Sequence, residues 1–221
     1  MKIKYLFIFA VAAVVVIAAF ANVTAQTACG DKDYDCKVQQ ATKQITANPK
    51  DVNGYTDRGD AYYNSDRYTE ALADYSKWVE MEPSNAQAFE YRGDTYNKLK
   101  QYKNAIADYT KSLALKPNEA SVLIARGNSY DDDGNFNAAL ADYNMAIKLD
   151  PSNASAFYNR GLAYDRQKNS KAALDDYSKA IALDPEYASA YKNRAFLYDQ
   201  MGDTAKAAAD RAKYKELVPN P

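Results

Sequence analysis

The stretch LDPSNASAFYNRGLAYD, residues 149–165, decides the fold. A proline closes one apolar run, and an asparagine opens the next. Ala154 to Asp165 reads as a helix, yet Arg160–Gly161 sits in its middle. A glycine inside a helix costs about 1 kcal/mol relative to alanine. The same pair stands at Arg58–Gly59, Arg92–Gly93 and Arg126–Gly127, so a repeated structural reason is required.

The prolines give the period. Pro49, Pro83, Pro117, Pro151, Pro185 and Pro219 are spaced by 34 residues throughout, and only Pro221 stands outside the series. A fixed period of this size is the mark of a repeat array. Units counted from three residues after each proline begin at 52, 86, 120, 154 and 188. Position 4 is then Tyr55, Phe89, Leu123, Phe157 and Tyr191. Position 8 is Gly59, Gly93, Gly127, Gly161 and Ala195. Position 11 is Tyr62, Tyr96, Tyr130, Tyr164 and Tyr198, and position 20 is Ala71, Ala105, Ala139, Ala173 and Ala207. Position 24 is Tyr75, Tyr109, Tyr143, Tyr177 and finally Arg211.

Large residues at 4 and 11 lie two turns apart on one face of a first helix, and positions 20, 24 and 27 line one face of a second. Gly134–Asn135 and Gly202–Asp203 fall between them as turn formers. The proline stops the second helix because it lacks the amide hydrogen and restricts its predecessor. Asp51, Asn85 and Asn153 stand where they cap the next first helix. Each unit is therefore a helical hairpin. Small residues at 8 and 20 let its two helices approach, with the aromatics filling the space around the crossing. Sixteen residues after each arginine at position 7 comes an aspartate: Arg58/Asp74, Arg92/Asp108, Arg126/Asp142, Arg160/Asp176 and Arg194/Asp210. Five such pairs predict a ladder of charge pairs between helices, within a unit or across to the next.

This pattern resembles the tetratricopeptide repeat family over residues 52–219, departing from it by arginine at position 7 and by Ala195 in the last unit. The resemblance implies an all-α fold, a right-handed α-solenoid of five tandem 34-residue helical hairpins. Residues 36–47 read as a lone second helix, with Val38 and Ile45 aligned to Leu72 and Val79, and serve as an N-terminal capping helix. Array ends need such caps because an inner repeat exposes apolar surface. The other end is altered instead, with Arg211 among Lys206, Lys213, Lys215 and Glu216.

Before the array comes a basic start (Lys2, Lys4), then 17 uncharged residues from Tyr5 to Ala21, then Val23-Thr24-Ala25. This is the layout of a secretory signal peptide cut after Ala25, or after Ala21. The alternative is an uncleaved membrane anchor over residues 5–21, at the short limit for a span. A lipoprotein reading of Cys29 is weaker, since Gln26-Thr27-Ala28 lacks the aliphatic residue of a lipobox and lies well past the apolar run. Cys29 and Cys36, the only cysteines, are expected to bridge in an oxidising compartment. Their spacing is not that of a redox C-x-x-C site. The chain divides into 1–25, signal peptide; 26–51, N-terminal segment with disulfide and cap; and repeats at 52–85, 86–119, 120–153, 154–187 and 188–221. Localisation is expected to be periplasmic or secreted.

The whole chain has net charge −1, and removal of residues 1–25 leaves 26 basic against 29 acidic residues. Without a basic run it does not read as a nucleic-acid binder. Without any histidine it lacks the commonest general base and neutral metal ligand. No catalytic constellation emerges, and no cofactor or metal is expected. Asp131-Asp132-Asp133-Gly134-Asn135 lacks the alternating ligands and closing glutamate of a calcium loop.

By resemblance, the first helices build a concave groove that holds an extended peptide or a partner helix, through positions 2, 5, 9, 12 and 13. The candidates are Asp60 and Tyr63 in unit 1; Glu90, Asp94 and Asn97 in unit 2; and Ile124, Asn128, Asp131 and Asp132 in unit 3. Unit 4 adds Tyr158, Leu162, Asp165 and Arg166, and unit 5 adds Lys192, Phe196 and Asp199. Over all groove positions acid exceeds base by four, and the apolar members gather in units 3 to 5. The expected ligand is a basic or polar protein segment carrying apolar anchors. The lysine–asparagine clamp by which one family subtype holds acidic chaperone tails is absent. The expectation is a non-enzymatic scaffold, with a self-associating structural component as the alternative.

Overall fold

The computed structural model describes residues 29–219. The signal peptide or anchor expected over residues 1–25 lies outside them. Eleven helices and no strands occur among the described residues: α1 Tyr34–Ala47, α2 Val52–Asn64, α3 Tyr68–Met81, α4 Ala86–Lys98, α5 Tyr102–Leu115, α6 Ala120–Asp132, α7 Phe136–Leu149, α8 Ala154–Arg166, α9 Ser170–Leu183, α10 Ala188–Gln200 and α11 Thr204–Leu217. Each first helix starts at the first position of its unit, and each second helix stops two residues before its proline. None of these helices is long and apolar enough to cross a membrane.

The caps explain the boundaries. Asp51, Asn85 and Asn153 accept from backbone amides of α2, α4 and α8. Asn135, Asn169 and Asp203 do the same for α7, α9 and α11. Each saves an otherwise orphaned amide, worth about 1 kcal/mol. Between the helices of every unit, position 15 adopts a left-handed backbone. It is Gly134 and Gly202 in units 3 and 5, but Asp66, Lys100 and Lys168, at φ 57–64°, elsewhere.

The glycine at position 8 makes room for a ring. A Cβ on Gly59, Gly93, Gly127 or Gly161 would fall 2.6–2.9 Å from Cε1 of the tyrosine at position 24 of the same unit. Those tyrosines are at most 1% exposed. The helices therefore close on a tyrosine edge, which is a sharper account than a general close approach. The last unit confirms the logic: Arg211 supplies no ring there, and Ala195 is accommodated at 2% exposure.

The same tyrosines join neighbouring units. Ala105 and Tyr109 pack with Val122, Ala139 and Tyr143 with Ala163, and Ala173 and Tyr177 with Leu197. Positions 3 and 10 of each unit thus seal the seam with the unit before. Gly54, Ala88, Val122, Ala156 and Ala190 hold the first site, and Ala61, Thr95, Ser129, Ala163 and Leu197 the second. All ten are buried.

The charge ladder runs within each unit. Every arginine at position 7 grips its aspartate with Nε and Nη2, at 2.7–2.8 Å. The aspartates are only 4–6% exposed. The third arm, Nη1, reaches back to Thr42 of the capping helix for Arg58, and to Thr110, Asn144 and Ser178 of the preceding unit for Arg126, Arg160 and Arg194. Phe89 and Tyr96 flank Arg92, and Phe157 and Tyr164 flank Arg160, at 5.5–6.0 Å. The aspartate's hydrogen bonds are the main reason each guanidinium is pushed above its ordinary pKa.

At the N-terminal end α1 begins two residues earlier than expected and caps the array. Its buried residue is Ala41, at 1% exposure, in the register of Tyr75, while Val38 and Ile45 are half-buried. Ile45 lies over Gly54, where a Cβ would come within 2.8 Å. A disulfide joins Cys29 to Cys36 in the first turn of α1.

Candidate functional site

The face built by the first helices divides into two chemically different halves. In units 1 and 2 the tyrosine at position 24 sends its hydroxyl through to position 9. Tyr75 donates to Asp60 and Tyr109 to Asp94, both at 2.6 Å. Around these carboxylates lies a cavity of about 380 Å³, lined by Asp60, Tyr63, Asn64, Tyr75, Glu90, Tyr91 and Asp94. It adjoins a second cavity of about 360 Å³ between α1 and α2, with Asp60 and Asn64 shared between them.

Burial raises the pKa of Asp60 and Asp94, partly offset by the tyrosine hydroxyls. Glu90 is raised by burial first and by the charge of Asp94 second. It accepts no hydrogen bond and forms no ion pair among the described residues. Tyr63 is pushed up to about 12 by burial and by Asp94. Tyr91 meets Tyr75 and Trp78 edge-on, with centroids 5.6 and 5.7 Å apart.

Unit 3 departs from the expectation of an open acidic surface. Asp131 is 6% exposed and ion-paired with Arg166 of unit 4 at 2.7 Å, while Asp132 meets the same guanidinium at 3.4 Å. Arg166 offsets one of the two acidic charges and Asp131 is withdrawn from the surface, while Asp132 stays exposed. The reason is register: position 13 of one unit lies against positions 12 and 13 of the unit before. Burial still raises the pKa of Asp131, against the opposing charge of Arg166. Asn128 accepts the Tyr143 hydroxyl at 2.8 Å. Ile124 turns inward against the core around Leu123 and Ala139.

Units 4 and 5 are apolar at position 9, with Leu162 and Phe196. Leu162 replaces the acceptor at position 9, so the buried Tyr177 hydroxyl has no hydrogen-bond partner. Tyr158 stacks near Tyr177 and Tyr187, at 5.8 and 4.9 Å, and takes a hydrogen bond from Asn193. Phe196 is 57% exposed. Asp199 is held by Arg211, so its charge is spent inside the unit. Lys192 is exposed, 5.9 Å above the Tyr214 ring. Asn97 and Asp165 are half-buried and line neither cavity.

The structure thus brings Asp60, Tyr63, Glu90 and Asp94 together, and separately Tyr158, Leu162 and Phe196. Sequence reasoning missed Tyr91. Its signal was an aromatic at position 6, where the other units carry Asp57, Ala125, Asn159 and Asn193. Among the described residues no cluster of three or more metal-ligating side chains is suited to hold an ion. The site can attract positive charge at one end and cover apolar surface at the other.

Four family models match the chain. They are described as TPR repeat over residues 127–168 and as tetratricopeptide repeat over 56–120, 154–187 and 177–209. No curated protein matches the sequence. Among solved structures, a crystal structure of MamA is 25% identical, with a TM-score of 0.66, covering 73% of this chain and 94% of that one. A tetratricopeptide repeat protein from Parabacteroides merdae is 23% identical, with a TM-score of 0.73, covering 82% of this chain and 72% of that one. YrrB, described as a TPR protein with an unusual peptide-binding site, is 22% identical, with a TM-score of 0.62 and coverage of 83% and 94%.

Proposed function

The chain belongs to the tetratricopeptide repeat family, and we propose that it is an exported, non-enzymatic scaffold that holds a segment of a partner protein on the face of its first helices. One observation carries this reading. The scaffold's own aspartates are matched by arginines in every unit, whereas Glu90 is left unpaired and Phe196 is left 57% exposed on the same face. Unmatched acid and uncovered aromatic surface suit a basic segment with apolar anchors. Complementary charge speeds and orients such an encounter. The peptide-binding site named for YrrB supports a peptide or helix as ligand.

Export rests on residues 1–25 and agrees with the Cys29–Cys36 disulfide, since such bonds persist in oxidising compartments. The alternative is a self-associating structural component. End-to-end growth would need the seam surface of α11 to accept another unit, and Arg211 stands there in place of the tyrosine that makes every inner seam.

The test is capture of partners from native envelope and secreted fractions by the wild-type protein, beside Glu90→Lys and Phe196→Ser variants. Both residues sit outside the hydrogen-bonded scaffold. Loss of a captured partner in either variant, with helicity unchanged, supports the groove reading. Retention of every partner by both variants, or capture of this chain alone, refutes it.

A further inference from the structure

The cavity between α2 and α4 holds charge that the fold does not need. Elsewhere in the described residues each aspartate below 9% exposure is ion-paired with an arginine: Asp74, Asp108, Asp131, Asp142, Asp176 and Asp210. Asp60, Glu90 and Asp94 are half-buried and form no ion pair, with Lys116 and Lys98 acting on Glu90 and Asp94 only from beyond contact distance. Burying a charge without a partner is unfavourable, and such charges are normally paired.

The hydrogen bonds do not explain the carboxylates. Asp60 and Asp94 each accept a tyrosine hydroxyl, but Asn128 accepts the equivalent Tyr143 hydroxyl with a neutral carbonyl. A neutral oxygen serves that tyrosine in unit 3 and Leu162 stands at position 9 in unit 4, so the fold does not require a charge there. Glu90 accepts nothing at all. The walls supply the other half of the chemistry. Tyr63 and Tyr91 line the same cavity of about 380 Å³, with the buried Tyr75 behind them, and aromatic faces attract cations that have shed water. An inorganic ion is a poor fit, because two of the carboxylates already spend an oxygen on tyrosine and no metal-ligand cluster is formed among the described residues.

The geometry points to this cavity as the socket for the cationic head of a lysine or arginine side chain from the partner segment, an inference that rests on the groove reading above. Asp60, Glu90 and Asp94 supply the charge, and the tyrosines supply the walls. The apolar half in units 4 and 5 lies further along the same face. A partner segment would therefore lie in one direction, with its basic residue over units 1 and 2.

The test uses the full chain with its disulfide intact, ¹⁵N-labelled, and small probes in place of a partner. Nα-acetyl-lysine amide and Nα-acetyl-arginine amide should give saturable shifts of amides in 60–64 and 90–94. Nα-acetyl-norleucine amide, which keeps the alkyl chain without the charge, should not. Glu90→Gln should weaken the cationic probe about tenfold, the loss of one charge-assisted contact. Asp94→Asn, patterned on Asn128, is a second variant that keeps the tyrosine hydrogen bond and should weaken it similarly. Equal shifts from the norleucine probe, equal shifts from magnesium chloride, no saturable shift, or undiminished affinity in both variants would each overturn the inference. That failure leaves the capture experiment untouched, because Phe196→Ser reports on the far half of the groove.

Discussion

At position 8 of the repeat, opposite substitutions should both destabilise, depending on the unit. In Gly127→Ala the new Cβ would lie 2.6 Å from Cε1 of Tyr143 and 3.0 Å from Cδ1. Ordinary carbon contact begins near 3.5 Å, so the ring must retreat by about 0.9 Å. It has little freedom to do so. Tyr143 is 1% exposed, packs on Ala139 and Ala163, and is tied to Asn128 at 2.8 Å. Overpacking of this kind costs about 2–3 kcal/mol, against a helix-propensity gain of about 1 kcal/mol. The net expectation is a loss of about 1–2 kcal/mol. Ala195→Gly runs the other way. No ring waits there, so the change gives up about 1 kcal/mol of propensity and a buried methyl worth about 0.8 kcal/mol. Urea unfolding followed by far-ultraviolet circular dichroism gives the midpoints, and hydrogen exchange localises each loss to its own unit, since arrays unfold by neighbouring repeats. In a Tyr143→Ala background Gly127→Ala should reverse sign and stabilise. If Gly127→Ala raises the midpoint of the otherwise wild-type protein, the interlock of glycine and tyrosine is wrong.

Three other outcomes are expected. Asp142→Ala should destabilise by about 3–5 kcal/mol by stranding the Arg126 guanidinium, and the Arg126→Met, Asp142→Leu pair should lose much less than the sum of its members; a thermodynamic cycle with no coupling refutes the ladder. Tyr109→Phe should lose about 1.5–3 kcal/mol with its bond to the Asp94 carboxylate. Tyr177→Phe should lose far less, because that hydroxyl makes no well-formed hydrogen bond and has only the Asn193 amide near it; equal losses in denaturation would refute this. Burial raises the folded-state pKa of Asp94 above its unfolded value, with the Tyr109 hydroxyl and then Lys98 opposing. The folded state then binds that proton more tightly, so the charged form carries a penalty above the folded pKa that vanishes below the unfolded one. Asp94→Asn should stabilise at neutral pH and lose its advantage as pH falls through the carboxylate range; a pH series of unfolding midpoints checks the sign.

Periodic features were legible because one chain shows them five times. The 34-residue step placed both helices of each unit, and Arg–Asp spacing named the ladder. A recurrent choice cannot be accidental at every copy, so repetition substitutes for comparison. What repetition hides is how equivalent positions touch between units. Positions 3 and 10 carry the seams, yet Gly54, Val122, Thr95 and Leu197 differ too much in type to stand out as a series. The partnership of Arg166 with Asp131 was equally hidden. It joins residues 35 apart, and no other unit carries the same pair. The left-handed turns at Asp66, Lys100 and Lys168 were missed because composition signals such a backbone only where glycine takes it.

The division of charge in this chain links stability to binding. The arginine at position 7 and the aspartate at position 23 are spent on each other in all five units, and four arginines also reach back to the preceding unit or, for Arg58, to the capping helix. That network holds the hairpins without involving positions 5 and 9 of the first helices, so those positions are free to vary. Position 9 varies in one direction along the array: Asp60 and Asp94, then an amide at Asn128, then Leu162 and Phe196. The tyrosine beneath position 9 registers the gradient, bonded to a carboxylate, then to a carbonyl, then to nothing. A uniform scaffold carrying a graded surface has a direction, and a segment lying on it must match that direction to satisfy both ends.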